Sequence, residues 1–362
     1  MEELEALIIL SSLPSLGSVK IRLLMQHYGS ASAALRAPLT ELATFPKFGP
    51  KTLQAWKKGL EEEHWKQNLV LAERLQTQLI PFTSPRYPKR LLEISDYPLV
   101  LYMQGDLLEE DQRCLAVVGT RQASFYGLEM AKQLSRELAE AGFTVVSGLA
   151  RGIDTAAHQG ALEKGRTIAV LGSGLAHLYP SENIALAEAI RHKGVLISEF
   201  AMATPPDRQN FPQRNRVVSG MTRGTILIEA PQQSGAMLTV ERALSQGRPV
   251  FALPGRVDSG CFKGNHALIK ECKAELIESV QDILKSFNDY PLPLVFKAAG
   301  PSSIPLEKEE EELLMQMPMQ EISIEELMLR IQWPVAKLNG FLMSLVLKKI
   351  VKEYPGKIYK KN

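Results

Sequence analysis

Cysteine is scarce in this chain: Cys114, Cys261 and Cys272 are the three among 362 residues. No two of them stand in Cys-x-x-Cys spacing, and the six histidines form neither a His-Glu-x-x-His nor a Cys-x-x-Cys…His-x-x-x-His pattern. A disulfide framework and a structural zinc site are excluded as organising devices. Charge of one sign is lacking too. The formal net charge is +2, which rules out a uniformly basic nucleic-acid binder but leaves room for a local basic groove. No apolar run approaches the ~20 residues of a bilayer span. The opening Met1-Glu2-Glu3 is acidic where a secretory leader is basic, so the expected compartment is the cytoplasm. Two nucleotide signatures are missing. No Gly-x-Gly-x-x-Gly follows the first strand, Gly172-Ser173-Gly174 supplies two of its three glycines, and no P-loop lysine motif occurs. NAD, FAD and P-loop ATP hydrolysis are therefore not expected, and no cofactor is.

What is present is an ordinary globular composition, 45% hydrophobic and 23% charged, in a chain long enough for two or three domains. Residues 1–65 read as a helical domain of helix-hairpin-helix or SAM-like type. Leu13-Pro14-Ser15-Leu16-Gly17 and Phe45-Pro46-Lys47-Phe48-Gly49 repeat one pattern of apolar, Pro, any, apolar, Gly. Each is either a plain helix–helix turn or a turn whose exposed N–H groups meet a phosphate. Residues 66–113 form a connector in which Pro98–Met103 reads as an edge strand.

Residues 114–287 carry the strongest pattern. Apolar, β-branched runs begin at Leu115, Thr144, Thr167, Val195, Thr225, Pro249 and Ala274, and helical stretches alternate with them. Near-continuous apolarity suits strands covered on both faces. Residues 66–287 are thus expected to form an α/β, Rossmann-like, doubly wound and mostly parallel sheet, with the connector at its start. Residues 288–306, rich in proline, read as a linker. In 307–362 the run Glu307–Glu312 is the solvated start of a helix, and helix, helix, helix, hairpin is the order of a winged helix.

In a parallel sheet, ligands sit beyond the carboxyl ends of the strands. Here those ends are Gly119-Thr120-Arg121, Ser147-Gly148-Leu149-Ala150-Arg151-Gly152, Gly172-Ser173-Gly174, Ser198-Glu199-Phe200, Pro231–Gly235 and Pro254-Gly255. Turns that open helices are anion sites, and arginines on the same rim favour phosphate. Phe211-Pro212-Gln213-Arg214-Asn215-Arg216 adds two cations and an aromatic ring, which either stacks on a base or covers the sheet edge. Asp154 and His158 are one helical turn apart; they form an acid–base pair or, as favoured here, a helix-start cap and a satisfied buried histidine. Glu199 and Glu229 end strands and are read as acceptors of backbone N–H groups rather than hydrolytic carboxylates.

Val117-Val118-Gly119-Thr120-Arg121, Val146–His158, Tyr179-Pro180, Phe211–Met221, Gln246–Gly255 and Asn265–Ile269 occur in an order that resembles the DprA/Smf family. The resemblance implies a non-enzymatic factor that binds and protects single-stranded DNA, helps load RecA recombinase, and acts as a homodimer with contacts near Leu268 and Ile269. It places a phosphate-holding arginine on Arg121. The expected DNA-contact set is Gly119, Thr120, Arg121, Ser147, Gly148, Arg151, Gly172, Ser173, Phe211, Arg214, Asn215, Arg216, Ser234 and Gly235. The chain departs from the family after Tyr179-Pro180, where Ser181, Glu182 and Asn183 replace a common lysine. That cationic duty passes to Lys193 or Arg191, or is weaker. Two other functions compete. One is a Rossmann-like phosphoribohydrolase, suggested by Glu229–Gly235 followed by Glu241. The other is a winged-helix DNA-binding regulator.

Overall fold

The computed structural model describes residues 2–13, 16–46, 48–287, 306–318, 320–348 and 350–361. Apart from Leu306, the expected linker 288–306 lies outside the described residues. The chain divides into two compact units, Met1–Pro291 and Leu292–Asn362.

The first unit opens with six helices: α1 (Glu3–Ser12), α2 (Ser18–Tyr28), α3 (Ala31–Leu35), α4 (Leu39–Leu42), α5 (Pro50–Glu62) and α6 (His64–Arg74). Helix α1 is buried continuously from Ala6 to Leu10, and the helices close around Trp56. The two repeated turns deliver Gly17 and Gly49 to the N-caps of α2 and α5. This helical group is tied to the main sheet of the same unit through Asn68, whose amide donates to the Tyr102 hydroxyl at 2.6 Å and accepts from the Met202 N–H at 2.7 Å.

Nine strands among the described residues form that sheet: β1 (Gln78–Pro81), β2 (Val100–Gly105), β3 (Cys114–Val118), β4 (Thr144–Ser147), β5 (Thr167–Leu171), β6 (Val195–Ser198), β7 (Thr225–Leu227), β8 (Val250–Ala252) and β9 (Glu275–Leu276). Their order is β1-β2-β6-β5-β4-β3-β7-β8-β9. Strands β3 to β9 pair in parallel, and β1 and β2 run antiparallel. The interleaved helices are α7 (Phe125–Glu140), α8 (Ile153–Lys164), α9 (Ile184–Lys193), α10 (Asn210–Gly220), α11 (Gly235–Ser245) and α12 (Lys263–Lys270), with α13 (Val280–Ser286) after β9. Apolar side chains cover both faces of the sheet, Val146 and Ile168 on one, Leu115 and Val145 on the other.

Two expectations need correction. The strand expected at Pro98–Met103 exists, as β2, but it lies inside the sheet between β1 and β6. The true edge, β1, is four residues long, mostly half-buried and ends in Pro81, too short for a readable alternation. Helix α13 was not expected, although its capping box of Ser279 and Asp282 and its buried Val280, Ile283 and Leu284 follow helical spacing.

The second unit comprises α14 (Lys308–Gln316), β10 (Ile322–Ser323), α15 (Ile324–Ile331), α16 (Val335–Leu347), β11 (Val351–Tyr354) and β12 (Ile358–Lys361), with an antiparallel sheet ordered β10-β12-β11. Its acidic run is not wholly solvated. Glu310 is buried and accepts from Ser344 Oγ and Lys348 Nζ, each at 2.6 Å, which fastens α14 to α16. Among the described residues no helix is long and apolar enough to cross a membrane.

The chain topology fixes where a site can form. From β3 the strands advance through β4, β5 and β6 in one direction, then the chain returns to lay β7 on the other side of β3. The crevice at this reversal, between the ends of β3 and β7, is where ligands of doubly wound sheets bind. Its walls are held rigid by α7 and α8, which approach closely at Gly160: a Cβ there would lie 2.0 Å from the Lys132 carbonyl oxygen. Helix propensity alone makes Gly160→Ala stabilising by about 1 kcal/mol. Packing reverses the sign, and we expect a net loss of about 1–3 kcal/mol in urea unfolding. An unchanged or raised midpoint would show that the two helices are not so close.

Candidate nucleic-acid interface

At the reversal, one carboxylate organises the loop after β3. Glu229, with no exposed surface, lies two residues beyond β7; its carbonyl oxygen accepts from the Thr120 N–H at 2.8 Å. Its carboxylate accepts from the Ser124 N–H at 2.9 Å and the Ser124 hydroxyl at 2.5 Å, and that hydroxyl caps α7 by accepting from the Gly127 N–H. Gly119 must be glycine, because a Cβ would lie 2.5 Å from Ile153 Cγ1 and 2.9 Å from the Glu229 carbonyl oxygen. The loop is thus pinned at both ends, and Arg121 projects from it, exposed, with its guanidinium carbon 5.0 Å from the centre of the Phe211 ring.

The turn after β4 is built around a second buried acid. Asp154 Oδ2 accepts from the N–H groups of Gly148 and Ala150 at 3.1 and 3.3 Å. Against Gly148 lies the guanidinium of Arg214: a Cβ would come within 1.7 Å of Arg214 Nη1, which donates to the Val170 carbonyl at 2.6 Å. Arg214 is 4% exposed. Burial pulls its pKa down to about 10, with Asp154 opposing and Arg121 adding to the shift. Burial in turn raises the Asp154 carboxyl, and Arg214 counters it. His158 does not pair with Asp154. Its Nδ1 is 2.7 Å from Thr167 Oγ1, but its buried Nε2 has no hydrogen-bond partner among the described residues, so the expected satisfied histidine is satisfied at one nitrogen; burial, reinforced by Arg214, pushes its pKa down to about 3. Asp154 thus holds a turn and Glu229 a loop, each by accepting backbone N–H groups. Glu199 departs from that expectation: its partner among the described residues is the Arg216 guanidinium rather than a backbone N–H, and burial raises its carboxyl to about 7, with Arg216 opposing.

After β5, Gly172 accommodates Phe211, since a Cβ would lie 2.7 Å from that ring. Tyr179 flanks the ring at a centroid distance of 6.0 Å. Phe211 therefore fills the notch between the β3 and β5 turns, with the glycine beneath, the tyrosine beside and Arg121 above.

The structure gathers Gly119, Thr120, Arg121, Gly148, Gly172, Phe211 and Arg214 into one rim. The other expected contact residues are placed differently. The Ser147 hydroxyl is buried and donates to the Val117 carbonyl; that of Ser173 donates to the His177 carbonyl. Arg151 is exposed, but its Nε lies 3.0 Å from Glu182 Oε1. Asn215 reaches toward the Gly235 carbonyl at 3.5 Å, and Ser234 caps α11 by accepting from the Ala236 N–H. Arg216 points away from the rim, 6% exposed, bound to Glu199 and 3.5 Å from Asp96. Lys193 and Arg191 cannot replace the missing lysine. They end α9, which runs back to the start of β6, at the opposite end of the strands from the rim. Leu268 is buried in the core, and Ile269 is half-buried against it. Among the described residues no group of three or more His, Cys, Asp or Glu is arranged to hold a metal ion.

Known proteins share this architecture. The sequence model of DNA recombination-mediator protein A matches residues 78–288. Protein Smf of Escherichia coli (strain K12) is 42% identical over 221 residues, 60% of this chain and 59% of that protein, so the match leaves about two-fifths of that relative uncovered. DNA processing protein DprA of Bacillus subtilis (strain 168) is 36% identical over 258 residues, 70% of this chain and 86% of its own length. The X-ray structure of DprA from Streptococcus pneumoniae superposes with a TM-score of 0.67 at 32% identity, covering 79% of this chain and 98% of that one. A structure of DNA processing protein A from Helicobacter pylori, described for its single-stranded DNA binding mode, gives 0.53 at 30% identity, covering 59% and 96%.

The buried histidine generates a pH prediction. In the unfolded chain His158 takes up a proton as pH falls through about 6.5, while the folded chain refuses it until about 3. The unfolded state then binds more protons in this window, so the stability held by the neutral ring is present above it and is lost on acidification. Relative to His158→Gln, the wild type should lose about 1 kcal/mol more between pH 6.5 and 5.5 in urea unfolding. Parallel pH profiles of the two proteins would contradict the burial of a neutral ring.

Proposed function

The chain belongs to the DNA recombination-mediator protein A family, and from that membership we propose that its rim binds single-stranded DNA by phosphates and stacked bases without catalysing a reaction. One observation carries the reading: Arg121, exposed on a pinned loop, is held 5.0 Å over Phe211 at the reversal of the sheet. A guanidinium fixed over a ring offers phosphate a bidentate donor that is indifferent to sequence, and the exposed Tyr179 ring beside it offers a base a surface to stack on. The H. pylori relative described for single-stranded DNA binding supports it. The family's name as a recombination mediator supports a role in handing the strand to RecA recombinase. We infer a homodimer through the surface near α12, where Ile269 is half-buried, and a cytoplasmic location.

The phosphoribohydrolase alternative needs an acid beside a ribose. Glu229 is fully buried and both its carboxylate oxygens are taken by Ser124, which weighs against it. We read the unit Leu292–Asn362 as a winged helix from its order of helices and its terminal hairpin. Its third helix, α16, exposes Val335, Met343 and Leu347 where a base-reading helix carries polar side chains. An accessory or protein-contact role fits better than the regulator alternative.

In competition gel shifts, single-stranded DNA should displace the probe far better than blunt duplex, with strong salt dependence. Arg121→Ala should weaken binding by roughly 1.5–3 kcal/mol in fluorescence anisotropy. A folded Arg121→Ala protein of unchanged affinity would remove Arg121 from the interface. Deleting residues 300–362 should cost less than about tenfold, roughly 1.4 kcal/mol; a fragment 300–362 that bound as tightly as the full chain would shift the site to the second unit.

A further inference from the structure

Leu16 and Gly17, which lead into α2, line a cavity of about 710 Å³ between the N-terminal helices and the sheet, with Gly17, Ser18 and Lys20 at the start of α2 on one side and Glu199, Arg216 and Arg242 on the other. Helix α2 has 11 residues, and its N-cap, Gly17, has no side chain to accept from the first-turn N–H groups. The positive end of the helix therefore faces this space. The backbone there, φ −83° and ψ 163°, suits any capping residue, and a Cβ would meet nothing within 4 Å. Steric constraint does not explain the bare cap.

A second observation is independent of the helix. Arg216 is 6% exposed and lies in the cavity wall, its Nε and Nη2 held by Asp96 and Glu199, while Nη1 has no hydrogen-bond partner among the described residues. A buried guanidinium nitrogen without an acceptor is costly, and a ligand oxygen would satisfy it. Glu199 and Asp96 both pair with Arg216, although Glu199 Oε1 is likewise without a hydrogen-bond partner among the described residues; Arg242, exposed on this wall, and the end of α2 add positive potential.

We infer that this cavity binds the phosphate of a nucleotide, with the first-turn N–H groups of α2 and the Arg216 guanidinium as donors. Its volume lies in the range of small-ligand sites. Continuity with the rim indicates the ligand class. The opening turn of α10 presents Phe211 and Arg214 to the rim and Pro212 and Gln213 to the cavity. A strand bound at the rim and passing over the start of α10 would place its next nucleotide here; a free mononucleotide would present the same chemistry. The inference rests on the reading of the rim as a strand-binding site for the first of these sources only.

The test is Gly17→Asp in the full chain. The aspartate caps α2, so the melting temperature should stay level or rise, and its charge occupies the place of the phosphate. Gly49→Asp is the control, an equally bare and open cap on α5 that does not line the cavity. With a labelled oligothymidine in fluorescence anisotropy, Gly17→Asp should weaken binding by about tenfold and lower the slope of log affinity against log salt by about 0.7, one phosphate contact, while Gly49→Asp leaves both unchanged. Thermal-shift titration with thymidine monophosphate separates the sources. Stabilisation of the wild type that Gly17→Asp abolishes identifies a free nucleotide; an effect on oligothymidine alone identifies the strand. Wild-type behaviour of Gly17→Asp toward both probes overturns the inference. If Gly17→Asp melts below the wild type, Arg242→Glu on the exposed opposite wall makes the same measurement. Loss of binding in Arg121→Ala with none in Gly17→Asp would retain the rim and discard the cavity; the reverse would retain the cavity and discard the rim.

Discussion

Glu229 has no contact with water, and the whole rim is arranged around it. Its carbonyl holds Thr120, its carboxylate holds Ser124 by backbone and hydroxyl, and α7 passes so close that a Cβ at Gly127 would lie 1.9 Å from Oε2. A buried carboxylate must be satisfied by hydrogen bonds or it protonates or the structure opens. Satisfying this one requires the loop after β3 to fold down onto the end of β7. The loop then has a single shape, and Arg121 a single direction.

The same economy governs the arginines of α10. Arg214 and Arg216, two residues apart on a helix, must face different sides. Arg214 turns to the rim, where Gly148 makes room, Asp154 supplies opposite charge and the Val170 carbonyl accepts its proton. Arg216 turns to the far side and is neutralised by Glu199 and Asp96. A buried guanidinium tolerates desolvation only with such partners. Of the two cations on the rim, Arg214 therefore shapes the field from below and Arg121 is held over an aromatic ring, while Arg151, outside it, is screened by Glu182.

Because the rim is rigid and its charge concentrated, net charge says little about the partner. A chain with a formal charge of +2 still sets Arg121 and Arg214 at this crevice, while several acids of the unit, Asp154, Glu229 and Glu199 among them, are turned inward to serve backbone or arginine. The second unit does the converse. It takes Glu310 from an acidic run and buries it to join two helices, so that a stretch read as a solvated face also carries packing.

The sequence by itself determined the strands and helices of the parallel sheet, the glycine turns at their ends and the presence of Arg121 on that rim. These are local matters: runs of β-branched residues buried on both faces, and short turns that only glycine can make. It could not determine partners distant in the chain. That β1, too short to alternate, lies outside β2, and that Arg216 faces Glu199 while Arg214, on the same helix, faces Gly148, are consequences of which elements become neighbours. Strand order and helix rotation are set by the packing of the whole core, and a side chain's environment is a property of that packing rather than of its neighbours in sequence.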